Sequence, residues 1–145
     1  MSKNQNAIII ACTFLWIGFV LAISFMEAWI KFEAPNVTIP LGLGIGRLVF
    51  TALNLVELSF IIVILGVIVL SNSFTKHKQY TFIYLPILIV VLQTVWMLPA
   101  LDTRATEVIS GNATGTSKIH LFYIVIEFIK ICCLFIFGRQ RFRKL

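Results

Sequence analysis

His120, Tyr123, Glu127 and Lys130 stand in HLFYIVIEFIKICCLFIFG, residues 120–138, a run otherwise built of apolar and small side chains. At 100° per residue the four fall within an arc of roughly 80° on one helix face. Arg47, Asn54 and Glu57 stand in a second apolar run, and their offsets of about seven and three residues again give an arc of roughly 80°. Thr51 lies to the same side. Ionisable groups within a bilayer cost about 2.5–3.5 kcal/mol each on insertion scales, so such stripes must face protein or water. Two chemistries suit them. In a polar cavity open to the outside, Glu57, Glu127 and His120 would titrate and Arg47 and Lys130 would tune them, which fits a small ligand or a proton relay. Alternatively the groups pair internally, Arg47 with Glu57 or Asp102 and Lys130 with Glu127, and fix the register of the helices. The spacing allows both. A metal site is disfavoured, because His120 is the sole histidine of the group and the Glu-x-x-His spacing of di-iron bundles is missing. Neither a Cys–His nor a Ser–His–Asp arrangement can be drawn. These residues alone indicate no cofactor.

The elements that must position these groups follow from composition. Hydrophobic residues make up 59% of the 145-residue chain and the mean hydropathy is +0.98, against roughly 45–50% apolar residues in soluble domains. Spans need about 20 apolar residues. Four runs qualify, at about 7–30, 43–70, 80–101 and 119–137. None alternates in polarity as barrel strands do. The expectation is an all-α integral membrane four-helix bundle filling residues 1–145 as one domain. The first run is longer than the ~7–15-residue core of a signal peptide and ends at Glu27 and Trp29 rather than at a small-residue cleavage site, so it is read as a retained span. Glu127 then lies about 12 Å into its span and Glu57 about 15 Å beyond Arg47. Glu27, Asp102 and Arg104 close the first and third spans at the same end and are secondary candidates. All these polar groups are expected to converge there, in the outer half of the bundle.

Orientation follows Lys and Arg in short connections. Lys3, Lys76, Lys78, Arg139, Arg141, Arg143 and Lys144 fall on one side; Lys31, Arg47, Arg104 and Lys118 fall on the other. The excess puts both termini in the cytoplasm, with the basic rim on anionic lipid head groups. No soluble basic domain is present to hold nucleic acid, and His77 is expected to be solvated in its connection. Cys12, Cys132 and Cys133 lie in apolar runs at spacings that match no zinc or redox motif. KFEAPNVTIPLGLGIG is expected to be extended before the second span, its glycines allowing close approach at the span entrance. Gly66 should offer a small surface to neighbouring helices. LPALDTRATEVISG has apolar residues at helical spacing, which continues the third span as an amphipathic segment to Gly111. Sequons occur at Asn36 and Asn112, both in connections.

RLVFTALNLVE, residues 47–57, resembles the Arg-x6-Asn-x2-Glu pattern of the MAPEG family, whose members also have four spans. The resemblance implies a homotrimer with glutathione- or lipid-directed chemistry, and Arg47, Asn54 and Glu57 at its cofactor site. The wider layout, with SFMEAWIKFEAP, IGRLVFTALN, LPALDTRA and HLFYIVIEFIK, resembles small uncharacterised bacterial four-span membrane proteins. That implies a multi-pass protein of the bacterial inner membrane and no particular activity. Two function classes follow: a binding, transport or accessory protein of the bilayer, able to form a homo-oligomer, or a membrane-embedded glutathione-dependent enzyme.

Overall fold

The computed structural model describes residues 1–71, 80–112 and 119–144. Lys76, His77, Lys78 and Lys118 lie outside the described residues, as does most of NATGTSK. Among the described residues the chain is almost all helix, with no strand. Four helices are long and apolar enough to cross a membrane: α1 (Lys3–Glu33), α2 (Ile39–Leu70), α3 (Thr81–Ile109) and α4 (Ile119–Phe142). Even α4, the shortest, spans about 36 Å at 1.5 Å per residue, against a hydrocarbon core of ~30 Å.

The helix ends explain why these elements outrun the apolar runs. Ser2 caps α1 in a reciprocal capping box with Gln5, which satisfies two backbone donors and draws the polar KNQN into the helix. Thr38 caps α2 by accepting from the Leu41 amide. The stretch expected to be extended is therefore already helical from Ile39. Pro40 sits in the first turn, where its missing donor costs nothing. The glycines that follow serve side chains rather than backbones. A Cβ on Gly42 would lie 2.2 Å from the Phe32 ring, and one on Gly46 would lie 2.8 Å from Lys31 Nζ. A Cβ on Gly66 would meet no neighbour within 4 Å among the described residues, so none of the described helices uses the small surface expected of it. At the end of α3 the Asn112 amide donates to Glu107 O and the Gly111 amide to Val108 O, with Gly111 at φ 75°. This is the Schellman stop, two residues past the end of α3 and at the glycine expected.

Two helices carry π turns, at Leu21–Glu27 in α1 and Gln93–Met97 in α3. The second lies just before Pro99, whose ring crowds the preceding turn and removes one amide donor. Widening the ladder relieves both effects. It also re-aims the face of α3 at its midpoint. The first part of α3 packs mainly on α4 and the later part mainly on α2, while α1 packs on both α2 and α4. The result is a ring of four neighbours in chain order.

Each helix buries one stripe. Ile9, Trp16 and Val20 of α1 meet Leu53, Ile64 and Ile68 of α2, Ile83 and Val90 of α3, and Leu134 and Phe137 of α4. The opposite faces are apolar and bare: Leu48, Ile62 and Leu70 are 75%, 70% and 82% exposed. Such a surface suits acyl chains. The three cysteines are free and none is fully buried. At the end holding both termini, Asn6 Nδ2 donates to Arg141 O at 3.0 Å. The Arg141 guanidinium lies 4.1 Å from the Tyr80 ring centre and 5.4 Å from that of Phe137. Arg141 was expected on the basic rim with its neighbours; it is instead buried, because two aromatic faces receive the guanidinium. Arg139, Arg143 and Lys144 remain exposed.

Candidate functional site

The polar groups do not form one cluster. They divide into a closed ion network at mid-bundle and an open cavity at the end where α1 meets α2.

The network centres on Lys130, which shows no exposed side-chain surface. Its ammonium donates to Glu57 Oε1 at 2.5 Å, Glu127 Oε1 at 2.9 Å and Gln93 Oε1 at 2.9 Å. All three donors of a lysine are thus used. Gln93 Nε2 also donates to Glu127 Oε1 at 2.7 Å, and Trp16 Nε1 to Glu57 Oε1 at 2.7 Å. Every helix supplies a member: Trp16 from α1, Glu57 from α2, Gln93 from the π turn of α3, and Glu127 and Lys130 from α4. Glu57 and Glu127 are 1% and 0% exposed. Glu127 Oε2 is buried and accepts no hydrogen bond from the described residues, and Ser24 Oγ is likewise unpartnered. The Tyr123 hydroxyl stands beside both, placed to donate to the Glu127 carboxylate and to accept from Ser24.

Above the network lies a cavity of about 700 Å³ between the four helices, within the 300–1,000 Å³ range of ligand pockets. Asn54 and Thr94 form its polar inner end, with Asn54 Nδ2 donating to Thr94 Oγ1 at 2.8 Å. Leu43, Phe50, Leu98, Leu101 and Val108 supply apolar wall. Lys31, Arg47, Arg104, Asp102 and His120 also line it. Arg47 Nε donates to Asp102 Oδ1. Arg104 Nη1 pairs with Glu107 at 2.9 Å and Lys31 with Glu27 at 3.2 Å, but neither of those acids lines the cavity. The lining therefore presents three cations and one carboxylate. Lys31 Nζ also lies over Phe32 and Phe50, at 5.5 and 5.6 Å from the ring centres. The terminal nitrogens of Arg47 make no hydrogen bond with the described residues.

The residues singled out by spacing thus part company. Arg47, Asn54, His120, Asp102 and Arg104 line the cavity; Glu57, Glu127 and Lys130 are in the network. Tyr123 is buried between them, with its ring edge-on to Phe50 at 5.4 Å. Glu27 holds Lys31 from behind. Arg47 pairs with Asp102 and not with Glu57, which Lys130 takes instead. Of the three MAPEG-like positions, Arg47 and Asn54 share the cavity and Glu57 does not. Sequence reasoning passed over Trp16, Gln93, Lys31 and Thr94. Gln93 had a readable signal, since no other glutamine lies within an apolar run. No family model, curated protein or solved structure matches this chain.

Proposed function

We propose that this chain is a multi-pass membrane protein that binds a small amphipathic anion, taking its carboxylate or phosphate at Arg47 and its apolar body along the cavity wall. The observation that carries this reading is the Arg47 guanidinium, with its terminal nitrogens unspent at a largely apolar cavity. A guanidinium offers two parallel donors to such a group. The Arg47–Asp102 pair is 37% and 52% exposed, and exposed pairs contribute ~0–1 kcal/mol, so a ligand can displace Asp102 at little cost. The closed network beneath serves as a rigid floor that holds the four helices in register. On the charge asymmetry of the sequence, both termini face the cytoplasm of a bacterial inner membrane and the cavity opens outward. A binding, transport or accessory role follows from such a site.

A second reading has one observation in its favour. Arg47 and Asn54 share the cavity, as a MAPEG-like glutathione enzyme would require, although Glu57 stands outside it. One experiment separates the two. Thermal melts in neutral detergent are run with a long-chain carboxylate, its methyl ester, or glutathione. The carboxylate should raise the melting temperature and the ester should not. Charged hydrogen bonds are worth about 1.5–3 kcal/mol, so Arg47→Gln should weaken carboxylate binding by about tenfold or more. Equal effects of acid and ester would refute the anion site. Stabilisation by glutathione alone, with a trimeric protein, would favour the enzyme.

A further inference from the structure

Two lysines sit within the bundle, and they are satisfied unequally. Lys130 places all three of its donors on acceptors in the network. Lys31, whose side chain is 9% exposed, gives one hydrogen bond, to Glu27 Oε2 at 3.2 Å. No second oxygen among the described residues accepts from it. The rings of Phe32 and Phe50 attract its charge from 5.5 and 5.6 Å, as aromatic faces do. They leave two N–H donors of the ammonium for an oxygen acceptor. What brings this ammonium to the cavity is a missing side chain. A Cβ on Gly46 would lie 2.8 Å from Lys31 Nζ, so Lys31 reaches from α1 onto the backbone of α2. Gly46 immediately precedes Arg47, whose terminal nitrogens are also unused. Lys31, Gly46, Arg47 and Phe50 all line the cavity. Two cations from two helices therefore stand on one stretch of its wall, each with donors left over.

A guanidinium takes two oxygens of one anion in parallel. A carboxylate has no further oxygen to offer, whereas a phosphate monoester has three terminal oxygens and a second charge. We propose that Lys31 and Arg47 form a two-cation clamp that selects an alkyl phosphate monoester over a singly charged head group, Arg47 taking two oxygens and Lys31 the third. This deepens the anion-binding reading above and rests on it.

One alkyl phosphate in three forms tests it: the monoester, its methyl diester and its dimethyl triester, which carry two, one and no charges at about pH 8. Dissociation constants are measured by calorimetry on the full-length protein in neutral detergent. The diester should bind tighter than the triester. The monoester should bind about tenfold or more tighter than the diester, the effect of one further charged hydrogen bond. A triester as tight as the diester would overturn the anion site itself and the clamp with it. A diester that beats the triester but equals the monoester would overturn the clamp alone. Both comparisons use the wild type and stand whether or not any variant folds. Lys31→Gln should bring the monoester down to the affinity of the diester. Gly46→Ala keeps the lysine but pushes its ammonium off α2, and should shrink the same difference. An undiminished difference in either variant would overturn the role given to Lys31. Inorganic phosphate should bind about tenfold or more weakly than the monoester, because it buries no chain; equal affinity would overturn the alkyl ligand in favour of free phosphate.

Discussion

Lys130 spends all three of its N–H donors on Glu57, Glu127 and Gln93. A buried ion pair adds little over an apolar replacement, but removing one partner strands the other. Lys130→Met should therefore cost about 3–5 kcal/mol, read as a lowered melting temperature in detergent. Combining it with Glu57→Gln should recover a large part of that loss; additive losses in the double-mutant cycle would mean the two residues do not interact. The residues themselves were only half legible. Period and charge located Glu57, Glu127 and Lys130, because charges in an apolar run have no other reading. The same signal could not show which charges meet. Two stripes with equal offsets allowed Arg47–Glu57 and Lys130–Glu127 pairs, and the outcome turned on depth: Arg47 lies at the level of Asp102, and Glu57 about 15 Å deeper at the level of Lys130. Trp16 was missed because a tryptophan in a span is ordinary, and only the acceptor beside its indole N–H makes it part of the site.

At the level of the helix, the glycines divide by what they touch. A Cβ on Gly138 would lie 3.0 and 3.1 Å from the Phe14 ring and 3.4 Å from Thr13 Cγ2, whereas one on Gly44 meets nothing within 4 Å. Gly138 is where α1 and α4 come close. Gly138→Leu should lower stability by about 1–3 kcal/mol through overpacking. Gly44→Ala should be neutral or stabilising by up to ~1 kcal/mol, since alanine is the better helix former. Equal melts for the two variants would contradict this account of the α1–α4 contact. The four helices were legible in the apolar runs, but their ends were not. Capping by Ser2 and Thr38 extends α1 and α2 through polar and glycine-rich residues that hydropathy assigns to connections. The π turn at Gln93–Met97 was equally hidden. It alters the phase of α3 without altering its composition, and its first residue, Gln93, is the one that reaches Lys130.

Over the whole molecule, polar chemistry is layered along the bundle. Asn6 and Arg141 lock the termini end, the ion network occupies the middle, and the cavity occupies the α1–α2 end. If the bundle sits as the positive residues imply, reporter fusions at both termini should be active only in the cytoplasm, and an exported terminus would invert the cavity. This division leaves an open cavity standing over a closed core. It is tested most directly by thiol labelling in membranes, with Cys12, Cys132 and Cys133 replaced by serine. Thr94→Cys, at the inner end of the cavity, should react with a polar, membrane-impermeant thiol reagent added from the α1–α2 side. Leu53→Cys, fully buried beside Asn54, should not. Labelling at neither position, or equally at both, would contradict the division of the polar groups into cavity and core.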